Sequence, residues 1–189
     1  DVGIYSLLKR IGEITGQDQP QMSLPDASAD DIKTTSFAGE REITELLERM
    51  QKTSSFAFDT DGLRMAFAFD QKETFSLPIS FLETGPFSGR FKSIFEDEKI
   101  KKTGHGLKES SKLMLQTGIH PAGLDFDTKL AAYLLNSDLK DYDFQKIYFI
   151  ELNKNTDQNP LKRPAYFLEL KKVQWEKLKS RDLLWVFEK

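Results

Sequence analysis

The stretch from Ser54 to Ile79 constrains the fold most strongly, because it contains three short apolar runs separated by two turns. Phe56 and Phe58 alternate with smaller residues, as in a strand that buries one face. Asp and Gly after the first run, and polar residues after the second, favour tight turns. The stretch therefore predicts three consecutive strands of one sheet, with Asp59 at the end of the first. Taken alone, that aspartate is more typical of an ordinary turn than of a functional site.

Composition restricts the chemistry that this chain can use. Its 189 residues are enough for one sizeable core, or for one domain with a tail. The absence of Cys excludes disulfides, thiolate catalysis and cysteine zinc sites, and only two His remain. A net charge of -3 argues against a dominant electrostatic grip on nucleic acid. Because the sequence has no apolar run of about 20 residues and no signal-peptide pattern, we expect a cytoplasmic protein with no membrane partner.

The chain divides into a tail and a domain. Residues 1–15 carry apolar side chains at helical spacing, and we expect them to be the end of an upstream domain. Residues 16–36 are rich in polar residues and have little to bury, which predicts an exposed linker. We expect residues 37–189 to form the domain itself.

The order of the remaining elements indicates the fold class. We expect a helix over 39–51, a strand over 99–105 and a second helix over 108–117. Asp127 is predicted to cap the helix that follows it, and a final helix is predicted over 174–187. Three strands in a meander, followed by strand, helix, strand and helix, predict a mixed sheet with helices on its faces. This is an α/β fold.

Two sequence blocks and one helix carry a family resemblance. The segment GHGLKESSKLMLQTGIHPAGLDFDTKLAAYLLNS (104–137) resembles the second conserved block of the 3′-5′ exonuclease domain of bacterial DNA polymerase I, the family A polymerases. The segment SSFAFDTDGL (54–63) resembles the first block, and GEREITELLERM (39–50) resembles the helix before it. IYSLLKRIGE (4–13) resembles the end of the 5′-nuclease domain that precedes this one in such polymerases.

The resemblance implies a ribonuclease H-like (DnaQ-like exonuclease) fold, in which helices flank a mixed sheet. It also implies that the chain is part of a DNA-directed DNA polymerase, a nucleotidyltransferase of DNA replication and DNA repair. The implied partners are DNA and the polymerase and 5′-nuclease domains of the same full-length chain. The fragment itself is expected to be monomeric.

Active members of this family hold two divalent metals on four carboxylates, and the sequence keeps only some of them. Asp59 stands at the position of the first Asp. Asp61 stands at the position of the Glu that follows, unless the loop is two residues short and the Glu is missing altogether. Ser110 replaces the Asp of the second block, and Gly106 replaces its usual Asn. Glu109 is acidic, but a helical step of about 100° should point it elsewhere.

The position of the last family carboxylate is open. Asp182 has the spacing of that Asp, with Leu178 in place of the usual Tyr. Asp182 is also typical of a helix-surface residue that pairs with Lys179 or Arg181. At most three of the four ligands are therefore present.

These substitutions favour a vestigial domain that keeps the fold, has lost two-metal catalysis, needs no cofactor and serves an architectural role. The alternative is an active 3′-5′ exonuclease that removes nucleotides from DNA 3′ ends. It would use Asp59, Asp61 and Asp182 as catalytic residues and metal ligands for Mg²⁺ or Mn²⁺. A third reading is a protein-interaction domain.

A basic cluster could contact DNA. Its members include Lys101, Lys102, His105 and Lys108. Such a cluster is typical of the solvated face of an acidic protein, and it would also suit phosphate contacts whose affinity falls steeply with salt.

Overall fold

The computed structural model describes residues 32–83 and 85–187, in which six strands form one sheet. The strands are β1 (Lys33–Ser36), β2 (Ser55–Thr60), β3 (Arg64–Ala68), β4 (Glu73–Pro78), β5 (Lys101–Gly104) and β6 (Leu124–Asp127). They lie in the order β1-β4-β3-β2-β5-β6. The pairs β2-β3 and β3-β4 are antiparallel, whereas β1-β4, β2-β5 and β5-β6 are parallel. The predicted meander and mixed α/β sheet are confirmed.

Helices cover both faces of the sheet. They are α1 (Glu40–Lys52), α2 (Ser80–Glu83), α3 (Ser88–Glu96), α4 (Leu107–Gln116), α5 (Thr128–Leu135), α6 (Phe144–Leu152), α7 (Arg163–Ser180) and α8 (Leu184–Phe187). A 3₁₀ turn, Pro160–Lys162, leads directly into α7. The helices predicted over 39–51 and 108–117 are confirmed. The bounds predicted for the final helix are wrong, because α7 begins at Arg163 and ends at Ser180. Within the described ranges, no helix is long and apolar enough to span a membrane.

The phenylalanines of β2 and β3 bury one face of the sheet. Phe56, Phe58 and Phe67 are almost fully buried against α1, α3 and α4. The Phe58 and Phe95 rings meet edge to face, with centroids 5.2 Å apart and an interplanar angle of 86°. Burial of each such side chain contributes about 1.5–3 kcal/mol. Alternation along β2 therefore fixes which residues point to the opposite face.

The opposite face of the sheet is lined with small residues, and α7 packs on it. Ala57 of β2 and Ala68 of β3 are fully buried in a cluster with Tyr166, Phe167 and Leu170 of α7. Small side chains let a helix approach the strands closely. Asp59 follows Ala57 by two residues, so it lies on this same face. This alternation brings Asp59 to the side of the sheet that α7 covers.

The last four residues of the predicted linker 16–36 form β1 at the edge of the sheet. Thr34 bonds Thr74 through their hydroxyl groups at 3.1 Å, and Ser36 bonds Ser76 at 3.0 Å. Thr is favoured in strands, which explains why this polar run joins the sheet. Residues 1–31 lie outside the described residues, and so does the segment predicted to end an upstream domain.

Candidate active site and its remaining carboxylate

Asp59 lies at the carboxyl end of β2, where β2 pairs with β3 and faces the first residue of α7. The Asp59 side chain is 17% exposed, and its Oδ2 lies 3.6 Å from Nη1 of Arg163. The Arg163 side chain is 36% exposed, so the guanidinium remains in partial contact with water. The side chain that faces Asp59, the first predicted metal ligand, is therefore the positively charged Arg163.

Burial raises the pKa of Asp59 to about 6. The Thr60 amide and the Arg163 guanidinium oppose this rise, since both favour the charged carboxylate. Above pH 6 the carboxylate form dominates, and the charges of Asp59 and Arg163 are then opposite.

Asp61 is used by the turn between β2 and β3. Its Oδ1 accepts hydrogen bonds from the Leu63 amide at 2.8 Å and the Arg64 amide at 2.7 Å. These bonds hold the pKa of Asp61 below its usual range, with the Arg64 amide as the largest cause. Gly62 follows at φ +87°, a conformation that favours glycine. Asp61 is exposed and acts as a turn-forming residue, as expected for an Asp that follows a strand.

The second block places no carboxylate beside Asp59. Ser110 on α4 is half-buried. It lines a cavity of about 140 Å³ together with Thr60 and Met65. Glu109, its neighbour, instead pairs with Lys129 at 3.1 Å. The expectation that Glu109 points elsewhere agrees with this ion pair.

Asp182 does not share a site with Asp59. Arg163, which contacts Asp59, is the first residue of α7, and Asp182 lies two residues beyond Ser180, the last residue of the same helix. At 1.5 Å per residue the helix separates its two ends by about 26 Å. Asp182 is exposed and adopts a left-handed φ of +55° in the turn after α7. The grouping of Asp182 with Asp59 and Asp61 is corrected by this geometry.

A two-metal centre needs more negative charge around Asp59 than these residues supply. Hard divalent cations beside phosphates need several anionic oxygens. Among the described residues no three acidic or histidine side chains form a group that could hold a metal ion. Asp61 is engaged by backbone amides, Ser110 is neutral and Arg163 is positive. The described residues therefore do not fit a two-metal centre.

Two of the four residues predicted to contact DNA, Lys102 and His105, bind other groups of the fold through their side chains. Lys102 is fully buried on β5, a strand paired on both sides, and its Nζ donates to the Asp97 carbonyl at 2.6 Å. Burial lowers the pKa of Lys102 to about 8. Lys101 and Lys108 are exposed. The predicted basic cluster is therefore not a continuous surface patch.

His105 is a structural residue. Its Nε2 donates to the Tyr142 carbonyl at 2.8 Å, and its Nδ1 lies 2.9 Å from Oγ1 of Thr128. The ring stacks on Phe167 with centroids 6.1 Å apart, and burial lowers the pKa of the imidazole. The predicted phosphate contact by His105 is corrected, because both ring nitrogens are engaged within the fold.

Arg163 is the site residue that sequence reasoning missed. Asn159, whose Oδ1 accepts from the Leu161 amide at 3.0 Å, and Pro164 near the start of α7 mark the beginning of this helix. These local signals could have placed the helix start correctly. The charge pair with Asp59 could not have been found in this way, because it depends on how α7 lies across the sheet.

A comparison with known families decides the membership of the chain. The model of the family described as DNA polymerase I, ribonuclease H-like domain, matches residues 63–158. That match covers just over half of the sequence. The chain belongs to this family. The matched residues include Ser110 and Gly106, but not Asp59, Asp61 or Asp182.

One curated relative is also a polymerase. DNA polymerase I of Borreliella burgdorferi is 25% identical over 126 residues, which cover 59% of this chain and 14% of the relative. The chain therefore spans a small part of the length of the polymerase that it matches.

Solved structures share the ribonuclease H-like fold with this polymerase I family domain. The POL domain of Pol1 from M. smegmatis, in complex with DNA primer-template and dNTP, gives a TM-score of 0.69 at 20% identity, over 80% of this chain and 28% of that one. RNase D of Escherichia coli gives 0.63 at 15% identity, over 79% and 46%. Brucella melitensis NrnC with bound Mg²⁺ gives 0.60 at 14% identity, over 82% and 84%. At these identities the likeness shows the fold, and the predicted fold is confirmed.

Proposed function

We propose that this chain is the 3′-5′ exonuclease-like domain of a DNA polymerase I that has kept its fold and lost metal-dependent hydrolysis. The observation that carries the proposal is the contact between Asp59 and Arg163. The helix that approaches the first family carboxylate presents a guanidinium to it, where a metal site would need further negative charge.

The chemistry of phosphodiester hydrolysis supports this proposal. In a two-metal site the ions activate a water molecule and neutralise the oxygen that leaves. Loss of one carboxylate removes charge that is needed to hold the ions together. Here Ser110 replaces one carboxylate, the turn engages Asp61, and Asp182 lies at the far end of α7. We therefore propose that Asp59 is a remnant and that the domain uses neither Mg²⁺ nor Mn²⁺.

The role that remains for such a domain is architectural. We propose that residues 1–15 end a 5′-nuclease-like domain, that a linker follows, and that this domain holds the 5′-nuclease and polymerase parts of one longer chain in place. We propose that the whole polymerase binds DNA and acts in replication and repair in the cytoplasm. Lys101 and Lys108 remain available for weak phosphate contacts, since both are exposed.

The proposal is tested by incubating the 189-residue chain with a 5′-labelled single-stranded oligonucleotide and either Mg²⁺ or Mn²⁺. An Asp59→Ala variant, purified in the same way, is the matched control for contaminating nucleases. We expect the two proteins to leave the oligonucleotide equally intact. Stepwise shortening from the 3′ end by the wild type, abolished by Asp59→Ala, would overturn the proposal.

A further inference from the structure

We infer that the Arg163 guanidinium takes the place of a metal cation beside Asp59. We infer also that this ion pair holds the start of α7 against the end of β2. The inference rests on the proposed function in one respect, namely that no metal centre operates at Asp59. It goes further by assigning a positioning role to Arg163. The domain would then keep its arrangement of sheet and helix without any bound ion.

The local structure gives Arg163 a defined place. The 3₁₀ turn Pro160–Lys162 packs over β2, β3 and β4, and Arg163 follows it as the first residue of α7. Pro164 restricts the backbone of the first helical turn. Lys162, the neighbouring cation, donates to Asp157 at 2.6 Å. Arg163 is therefore the cation of this turn that reaches Asp59.

The groups around Asp59 explain why a cation is needed there. The carboxylate is mostly buried, so its charge has lost most of its contact with water. Asp61, two residues further along, adds negative charge nearby. Removal of Arg163 would leave a buried carboxylate with less compensation, which is unfavourable.

The same geometry disfavours a divalent ion at Asp59. An ion bound to Oδ2 would need to approach that oxygen to about 2.0–2.6 Å. It would then lie close to the Arg163 guanidinium, whose Nη1 is 3.6 Å from the same oxygen. An arginine in a protein cannot be deprotonated, so the repulsion between the two cations would persist at any working pH. An ion that bound Oδ2 would therefore have to displace Arg163 or bind against this repulsion.

A double-mutant cycle on the 189-residue chain tests the positioning role. Arg163→Met, Asp59→Asn and the double variant are unfolded with urea at pH 7.5. We expect Arg163→Met alone to raise the unfolding equilibrium constant about ten-fold, and to change it less than two-fold when Asp59→Asn is present. Arg41→Met is the matched control, because Arg41 pairs with Glu45 on the surface at 90% and 64% exposure. Arg41→Met should change the unfolding equilibrium constant less than two-fold. Equal effects of Arg163→Met in both backgrounds would overturn the inference.

A titration with Mn²⁺ tests the exclusion of metal and does not depend on how stable the variants are. The paramagnetic ion broadens backbone amide signals close to its site. We expect the Thr60 amide of the wild type to broaden no more than that of Asp59→Asn. Selective broadening in the wild type, lost in Asp59→Asn, would overturn the inference. Such binding without cleavage of DNA would leave the proposed function standing, whereas cleavage would overturn the proposed function itself.

Discussion

Asp127 Oδ2 accepts a hydrogen bond from the Leu107 amide at 2.7 Å, so the side chain that caps α5 also caps α4. Its Oδ1 accepts from the Gly106 amide at 2.8 Å and from the Lys129 amide at 2.9 Å. One carboxylate thus satisfies amides at the starts of two helices, whose positive dipole ends both favour negative charge. The hydrogen bonds of the Asp127 carboxylate hold the starts of α4 and α5 at the carboxyl ends of β5 and β6.

This double cap predicts an unusually large effect of Asp127→Ala. Each lost cap costs about 1 kcal/mol, so we expect the free energy of unfolding to fall by about 2 kcal/mol. Urea unfolding measures the change. Asp143→Ala is the matched control, because Asp143 caps α6 through the Gln145 amide alone. Equal losses for the two variants would contradict the double cap.

The sequence predicted the centre of this fold because its signals there are local. The alternation of Phe56 and Phe58 fixed the buried face of β2, and the position of Asp127 before an apolar run indicated a helix cap. Lys102 and His105 were misassigned for a different reason. Lys is mostly exposed in proteins and His is intermediate, so residue type does not predict their contacts within the fold. Only the placement of β5 between β2 and β6 buries Lys102.

The candidate site was less predictable than the fold. Asp59 could be placed from its strand, and the loss of a carboxylate at Ser110 could be inferred from the family resemblance. Asp182 could not be placed, because its distance from Asp59 depends on where α7 begins. The contact with Arg163 joins residues that are far apart in sequence, and no local pattern predicts such a contact.

Gly123 predicts a second effect on stability. A Cβ at this position, where φ is +65°, would lie 2.5 Å from the Ile100 carbonyl oxygen and 2.9 Å from that of Glu98. The backbone would have to move, and we expect Gly123→Ala to lower the free energy of unfolding by about 3 kcal/mol or more. Gly118 has a similar φ of +76° with open space around it. Gly118→Ala should therefore lower the free energy of unfolding by only about 1 kcal/mol. Thermal or urea unfolding measures both changes. Equal losses of unfolding free energy in Gly123→Ala and Gly118→Ala would show that crowding at Gly123 is unimportant.

Asp59 predicts a pH dependence with a defined sign. Its pKa in the folded protein, about 6, lies above the ordinary value, so the fold favours the protonated carboxyl. The contribution of this group to stability is therefore present at low pH and is lost as the pH rises through 6. Arg163→Met should raise the pKa of Asp59 further, because a favourable cation is removed. Carbon-13 NMR titration of the Asp59 carboxyl measures both values, and a lower pKa in Arg163→Met would contradict the contact.

Lys102 predicts a pH effect in the alkaline range. Its pKa in the folded protein, about 8, lies below the unfolded value of 10.5, so the fold disfavours the charged form. The unfolded chain then binds more protons between these values, and stability rises with pH across that range. We expect the wild type to gain about 2 kcal/mol relative to Lys102→Met between pH 8 and pH 10. Urea unfolding at each pH measures the stability of both proteins. Parallel stability curves between pH 8 and pH 10 would show that burial does not perturb the pKa of Lys102.

Single-turnover conditions give the most sensitive measure of whether Asp59 still takes part in metal-dependent hydrolysis. The protein is held in excess over a 5′-labelled single-stranded oligonucleotide with Mn²⁺, and loss of the 3′-terminal nucleotide is followed over hours. We expect the same rate constant for the wild type and Asp59→Ala, equal to that of the oligonucleotide without protein. A wild-type rate constant clearly above the Asp59→Ala value, by as much as about 10²–10⁴-fold for a working catalytic group, would contradict this expectation.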